Sequence, residues 1–379
     1  MKGLRPLILA GVALAVAAPT AVWGLAVAPM LNDSEEPGSV IVFPKFLTGT
    51  VDNGDGTLSP RSDFEISVTC PTDVTEAECQ ALDRDPLVAQ ALLFTMVTIH
   101  FHWVCPGTGP AVPLAGVCPE TDFIVRTTIF GTVHINPENL DPKTHIVTTP
   151  PCPQGYLIGW VENDLGLKVS WNSLIGDAVL RPSPVTEVWA YNAIPIQATG
   201  PSSTRTAILP ADGTLPFNGT TGYKAVTGKI FGTVRYEDSN TQTFLTLLTL
   251  DVNSNRINGA TNVELDFFNE QETLASHSTS FICWEEVELN SLESPGSSSG
   301  LNTSFGTKGL VRSFQSGTNV TLLGIIDTHE AIPNSSSGAG PLFRGYAYSL
   351  YNDSVPVPTT FRPNDGPGVV PQPCDTVLR

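Results

Sequence analysis

Charge is scarce in this chain, and positive charge is scarcer. Asp, Glu, Lys and Arg make up 15 % of the 379 residues, and 19 Lys plus Arg stand against 37 Asp plus Glu, a formal net charge of −18. A surface of that sign repels phosphate backbones and anionic lipid headgroups, which removes nucleic acid and membrane surfaces from the expected partners. No patch interleaves basic with aromatic residues, and neither a phosphate-cradling glycine loop nor a dinucleotide fingerprint is present. None of the seven cysteines forms a C-x-x-C pair, so the usual cysteine zinc site is excluded. Beyond about residue 30 there is no second apolar run long enough to span a bilayer as a helix.

What the chain has instead is 33 Gly and 32 Pro with frequent Ser and Thr. That mixture suits many short strands joined by many turns better than long helices with charged outer faces. Period-two patterns recur. Phe64, Ile66, Val68 and Cys70 alternate with Glu65, Ser67 and Thr69; Val226 through Tyr236 do the same, and Val263, Leu265 and Phe267 alternate with Glu264 and Asp266. Successive strand side chains point to opposite sides of the pleat, so each pattern predicts a strand buried on one face. Phe244–Leu250 is apolar on both faces and reads as a central strand. With Phe281–Leu289 it suggests a four-stranded antiparallel meander over Lys224–Leu289. Val40–Phe43 reads as a strand stopped by Pro44, and one helix is expected near residues 74–83, capped by Asp73 with Glu76 and ended at Asp85-Pro86. Ile129–Val133 recurs letter for letter as Ile230–Val234; a duplicated domain would explain this, but the flanking segments do not repeat in the same order, and two equivalent inner strands of one sandwich explain it equally well. The fold class is therefore all-β, an antiparallel β-sandwich as one large or two coupled sandwiches.

The organisation follows from composition. Residues 1–28 read as a signal peptide, with a basic start at Lys2 and Arg5 and an apolar run from Leu7 to Ala18. The apolar character persists to about Met30, so a retained anchor is the alternative. The Gly, Pro, Ser and Thr-rich stretch 198–222 is the best internal boundary, giving β-sandwich regions at 39–200 and 201–360 and a Pro-rich tail at 361–379. Export to an oxidising compartment fits the cysteines. Cys70 with Cys79 and Cys105 with Cys118 form two local couples, while Cys152, Cys283 and Cys374 remain, one of them unpaired or bridging to another chain.

Three groups of residues could carry chemistry. His100 and His102, at i and i+2 on a strand, share a face and could hold a divalent metal, with His134 as the third ligand. The same pair on a solvated face would need no function. Glu286 and Glu288 share a face beside Trp284, the residue types of a carbohydrate cleft, although like charges there commonly mark a solvated surface. Asp327-Thr328-His329-Glu330 has the letters of an acid–base cluster at a strand end. Gly296–Gly300 spells G-x-S-x-G, but inside a Ser/Gly loop rather than between strand and helix. The expected function is that of a secreted, extracellular or cell-surface β-protein (the periplasm being the other compartment it fits), structural, adhesive or ligand-binding rather than enzymatic. The alternative is an exported metal-dependent or carbohydrate-active enzyme. No cofactor is required, and after signal cleavage no membrane insertion is expected. A homo-oligomer or cell-surface component is the expected partner class, with Ser39–Phe43 and Ser354–Thr360 offered to a neighbouring copy's sheet edge.

Overall fold

The computed structural model describes residues 32, 35–93, 96–107, 116–140, 145–182, 188–235, 241–289, 292, 308–315, 321–332, 342–349, 351–352 and 356–364. Residues 1–28, read above as a signal peptide, the Ser/Gly loop with its G-x-S-x-G letters, Cys374 and most of the Pro-rich tail lie outside them. Half of the described residues are strand and 8 % helical, in antiparallel sheets packed together, so the all-β sandwich reading holds.

The first eleven strands are β1 (Val40–Leu47), β2 (Thr50–Asp52), β3 (Leu58–Pro60), β4 (Ser62–Val68), β5 (Val97–Val104), β6 (Glu120–Thr127), β7 (Thr132–Ile135), β8 (Gln154–Glu162), β9 (Leu174–Leu180), β10 (Trp189–Asn192) and β11 (Ile194–Ile196). They build a five-stranded sheet, β11-β1-β8-β5-β6, facing a four-stranded one, β10-β9-β4-β7, with β2 and β3 as a separate hairpin. The interior between the two sheets is aromatic: Phe43 meets Phe64 edge-on at 4.9 Å, and Phe64 lies 5.7 Å from Trp103. Each such side chain, fully buried, stabilises the fold by roughly 1.5–3 kcal/mol.

Next come β12 (Leu215–Phe217), β13 (Val226–Thr227), β14 (Lys229–Arg235), β15 (Thr241–Leu248), β16 (Thr261–Asn269), β17 (Leu274–Phe281), β18 (Trp284–Glu288), β19 (Lys308–Gln315), β20 (Leu323–Ile332), β21 (Leu342–Ser349), β22 (Tyr351–Asn352), β23 (Pro356–Val357) and β24 (Thr359–Phe361). A second five-stranded sheet, β17-β16-β19-β14-β22, and a second four-stranded sheet, β18-β15-β20-β21, enclose Ile230, Val263, Leu265, Phe267, Leu245, Leu247 and Ile326. The expected meander is therefore replaced by strands alternating between two sheets. Of the described strands within Lys224–Leu289 only β16 and β17 pair as neighbours in chain order, because β19 and β20 arrive from far along the sequence to take the central positions.

A third apolar layer joins the halves. Val40, Val42, Ile158 and Trp160 on the outer face of the first sheet pack with Phe217, Tyr223, Leu248, Leu250, Trp284 and Phe361. This explains why β1 and β8 read as nearly continuous apolar runs: both of their faces are covered. The 198–222 stretch contributes Ile208, Leu215 and Phe217 to this layer.

Local expectations are corrected in four places. Pro44 does not end β1, which continues to Leu47 through a bulge between Phe43 and Phe46. The helix α1 (Glu76–Arg84) takes its capping box from Thr75 and Glu78, while Asp73 accepts a hydrogen bond from the Ser202 N–H at 2.6 Å. Asp85 then caps a second helix, α2 (Pro86–Ala91), accepting from the N–H groups of Leu87 and Val88. Finally, the two Ile-Phe-Gly-Thr-Val copies are not equivalent: the second lies within β14, but in the first Phe130 has φ 64° in a turn that carries the chain from β6 into the opposite sheet.

The strands expected to seek a neighbouring copy are already used. β1 sits between β11 and β8, β24 pairs with β12, and β23 pairs with β13; Ser354 lies outside the described residues. Among the described residues no helix is long and apolar enough to cross a membrane.

The cysteines pair as Cys70–Cys79, Cys105–Cys152 and Cys118–Cys283. The first is the expected local couple, and it pins α1 to the end of β4. Cys105 does not bond Cys118. In the β5–β6 hairpin Val104 stands opposite Glu120 and the Cys105 N–H donates to the Pro119 carbonyl, so Cys118 is one residue out of register and faces the other side of the sheet.

Candidate functional site

The histidine pair lies on the face of β5 turned away from the first sandwich interior, and that face is covered. His100 is 8 % exposed and His102 1 %. Their rings lie 4.8 Å apart. The His100 Nδ1 lies 3.0 Å from Glu162 Oε1 and its Nε2 3.2 Å from Asp122 Oδ2. Trp160 donates its indole N–H to the same Glu162 oxygen at 2.9 Å. His102 stacks on Trp160 at 4.8 Å, meets Phe361 edge-on, and places Nδ1 3.6 Å from Glu120 Oε2. The hydrogen bond from His100, with the fields of both histidines, holds the Asp122 carboxyl below its ordinary range against the opposing effect of burial.

His134 is elsewhere. It stands on β7, an edge strand of the opposite sheet, half exposed, with Glu65 as its partner at 3.7 Å. The structure thus brings His100 and His102 together with three carboxylates and leaves His134 on the far side of the sandwich. No group of three or more His, Cys, Asp or Glu among the described residues is placed to hold a metal ion. The two rings and their carboxylates form a polar ladder at the edge of the third apolar layer, in which the contacts to Glu162 and Asp122 fix the orientation of the His100 ring.

A second cluster, centred on Lys45, was not singled out by pattern. Lys45 is in the β1 bulge, 3 % exposed, at the junction between the two sheet pairs. Its Nζ lies 3.2 Å and 3.1 Å from the two oxygens of Asp327 on β20 and is ion-paired with Glu286 on β18. His329 Nε2 lies 2.9 Å from Asp327 Oδ2. Aromatic rings wall the cluster: the ammonium is 5.2 Å from the Trp189 ring and 5.7 Å from the Phe244 ring, and His329 stands edge-on to both. Burial opposes the Lys45 charge most, but the Asp327 and Glu286 carboxylates outweigh it, and the pKa stands above the ordinary lysine value.

The bulge that aims Lys45 is held on two sides. The Tyr191 hydroxyl accepts the Lys45 N–H at 3.1 Å and donates to the Lys45 carbonyl, and the Trp284 indole N–H donates to the Pro44 carbonyl at 2.8 Å. The sequence did contain a signal, a single lysine inside the apolar run Val-Ile-Val-Phe-Pro-Lys-Phe-Leu, where an uncompensated charge would be prohibitive.

The glutamate strand resolves differently from a carbohydrate cleft. Trp284 is 2 % exposed and serves as a clamp beneath the sheets, so it offers no stacking platform. Glu286 faces Lys45, while Glu285 faces the other way and accepts a hydrogen bond from Thr279; burial pushes the Glu285 carboxyl up. A shallow groove of about 370 Å³ runs beside β16 and β17, lined by Asn262, Val263, Glu264, Ser278, Thr279 and Ser280. Its single carboxylate cannot form the acid–base pair that glycoside hydrolysis needs.

No protein-family model and no curated protein matches the chain. Among solved structures a human norovirus GI.7 virus-like particle aligns over 90 % of this chain and 81 % of its own, at 12 % identity and a TM-score of 0.14, too low to indicate a shared fold.

Proposed function

We propose that this protein is an exported, non-enzymatic β-protein of the cell exterior, structural, adhesive or ligand-binding. The observation that supports the reading most is the Cys118–Cys283 bond, which joins the first pair of sheets to the second across 165 residues of chain. Such a bond forms and persists in an oxidising compartment. The basic start and apolar run of residues 1–28 support the same destination. The histidines of one polar cluster and the lysine of the other are buried, an arrangement suited to rigidity.

Cell fractionation with thiol labelling tests the reading. The protein should be recovered from the extracellular or surface-washed fraction with Cys70, Cys79, Cys105, Cys118, Cys152 and Cys283 protected from maleimide until reduced. Recovery from the cytoplasm with those thiols free overturns it.

A further inference from the structure

Lys45, Glu286 and Asp327 are held together as reactants are held, and the arrangement has a chemical outcome besides an ion pair. We infer that Lys45 and Asp327 are joined by an intramolecular amide bond, with Glu286 as the group that moves the proton. The nucleophile and electrophile are in contact: Lys45 Nζ lies within 3.2 Å of both Asp327 oxygens, and these side chains are 4 % and 0 % exposed. A bulge clamped through Tyr191 and Trp284 fixes the amine, and a central strand of the second four-stranded sheet fixes the carboxyl.

The step balances without an oxidant or any co-reactant. Glu286 takes one proton from the Lys45 ammonium. The freed lone pair attacks Cγ of Asp327 and forms the C–N bond. One C–O bond breaks, and the departing oxygen leaves as water with two protons from the nitrogen, one of them delivered by Glu286, which ends as it began. His329, on the second oxygen of Asp327, steadies the carboxyl as charge builds there. Glu286 is therefore a catalytic residue for this single turnover, and His329 a positioning one.

Three features favour the reaction in this place. Fixed contact between the groups takes the place of concentration: well-oriented intramolecular reactions reach effective molarities of about 10⁵–10⁸ M, which offsets the cost of a condensation that is unfavourable between free molecules in water. The walls of Trp189 and Phe244 keep water from reversing it. Condensation also consumes one buried positive and one buried negative charge, relieving a desolvation cost that an ion pair offsets only in part. The product would fasten β1 to β20, tying the two sheet pairs together at a second covalent point distinct from Cys118–Cys283.

Peptide mapping of the reduced, alkylated full chain tests the inference. Trypsin should fail to cut after Lys45 and should release a branched peptide in which the segment ending at Arg61 is joined to residues 313–344, lighter than the two parts by one water. Lys45→Arg, which keeps the cation and removes the nucleophile, should give only linear peptides. Glu286→Gln should leave most chains unlinked with an unchanged far-ultraviolet spectrum, and Asp327→Asn should link with loss of ammonia in place of water. A wild-type digest holding only the linear peptides, cut after Lys45 and with Asp327 at full mass, overturns the inference whatever the variants do.

Discussion

Cys118 and Cys283 stand 165 residues apart in the chain and 6.4 Å apart between Cα atoms, and the bond between them carries the β5–β6 hairpin onto the turn between β17 and β18. Cys283 lies in that turn at φ 67°, a left-handed conformation that a side chain adopts at some cost, and it is 2 % exposed. Around it the Gly107 N–H donates to the Ile282 carbonyl at 2.9 Å, and the Asn258 N–H donates to the Gly116 carbonyl at 2.8 Å. The junction between the sheet pairs is therefore hydrogen-bonded and covalently closed at one end and ion-paired through Lys45 at the other.

Replacing Cys118 and Cys283 together by serine should cost far more than replacing the local pair Cys70 and Cys79. Loop-closure entropy sets a ceiling of about 5 kcal/mol for the long loop and about 2–3 kcal/mol for the short one. Denaturant midpoints of the two double variants, measured at one protein concentration, check the order. Equal losses would mean that the junction holds without its bond.

Tyr191→Phe should destabilise by about 1–3 kcal/mol, since both the N–H and the carbonyl of buried Lys45 lose their partner and no water reaches them. Burial pushes the Tyr191 phenol well above its ordinary range, so the loss should be the same at neutral and mildly alkaline pH. Urea titrations at the two pH values decide it. A loss confined to alkaline pH would place an ionised phenolate in the clamp.

Gly159 sits on β8 opposite Phe101, whose ring covers it, and an added Cβ would stand 2.4 Å from that ring. The ring is wedged between sheets and also stacks on Phe123 at 5.3 Å, so it cannot give way. Gly159→Ala should cost about 1–3 kcal/mol by overpacking. Gly259→Ala, where a Cβ meets nothing within 4 Å, should be close to neutral, and thermal melts of the two variants beside the wild type measure the contrast.

Periodicity made the strands legible wherever one face is polar, as in β4 and β16, and continuous apolar runs marked those covered on both sides. It failed at β17, Leu-Ala-Ser-His-Ser-Thr-Ser-Phe, because an edge strand with small polar residues on both faces shows no alternation to read. It failed in pairing for a different reason. Which sheet a strand joins depends on partners far along the chain, and β19 and β20 decide the neighbours of β14, β15 and β16 from that distance. The histidine pair was visible as a shared face, but its burial was not, since the residues that cover it, such as Phe361, come from the other end of the chain. The Lys45 cluster was visible only in pieces. Glu286 and the Asp327–His329 pair read singly as surface and strand-end residues until the fold sets them against one buried lysine.

The histidine ladder predicts a term in acid stability. The Asp122 pKa is lowered in the folded chain, first by the hydrogen bond from His100 and then by the fields of His102 and His100. A carboxyl depressed on folding contributes stability that is fully present above its unfolded pKa, about 3.9 for Asp, and that is lost as pH falls through the folded value. The Asp122 side chain is 48 % exposed, so solvent screening keeps the contribution below about 1 kcal/mol. Asp122→Asn should therefore lower stability slightly at neutral pH and flatten its decline between about pH 5 and pH 2, whereas the wild type should fall more steeply. Parallel urea titrations across that window measure the difference in slope. Superimposable slopes would show that His100 does not hold Asp122 in solution, and the ladder would reduce to its buried members, Glu162 and Glu120.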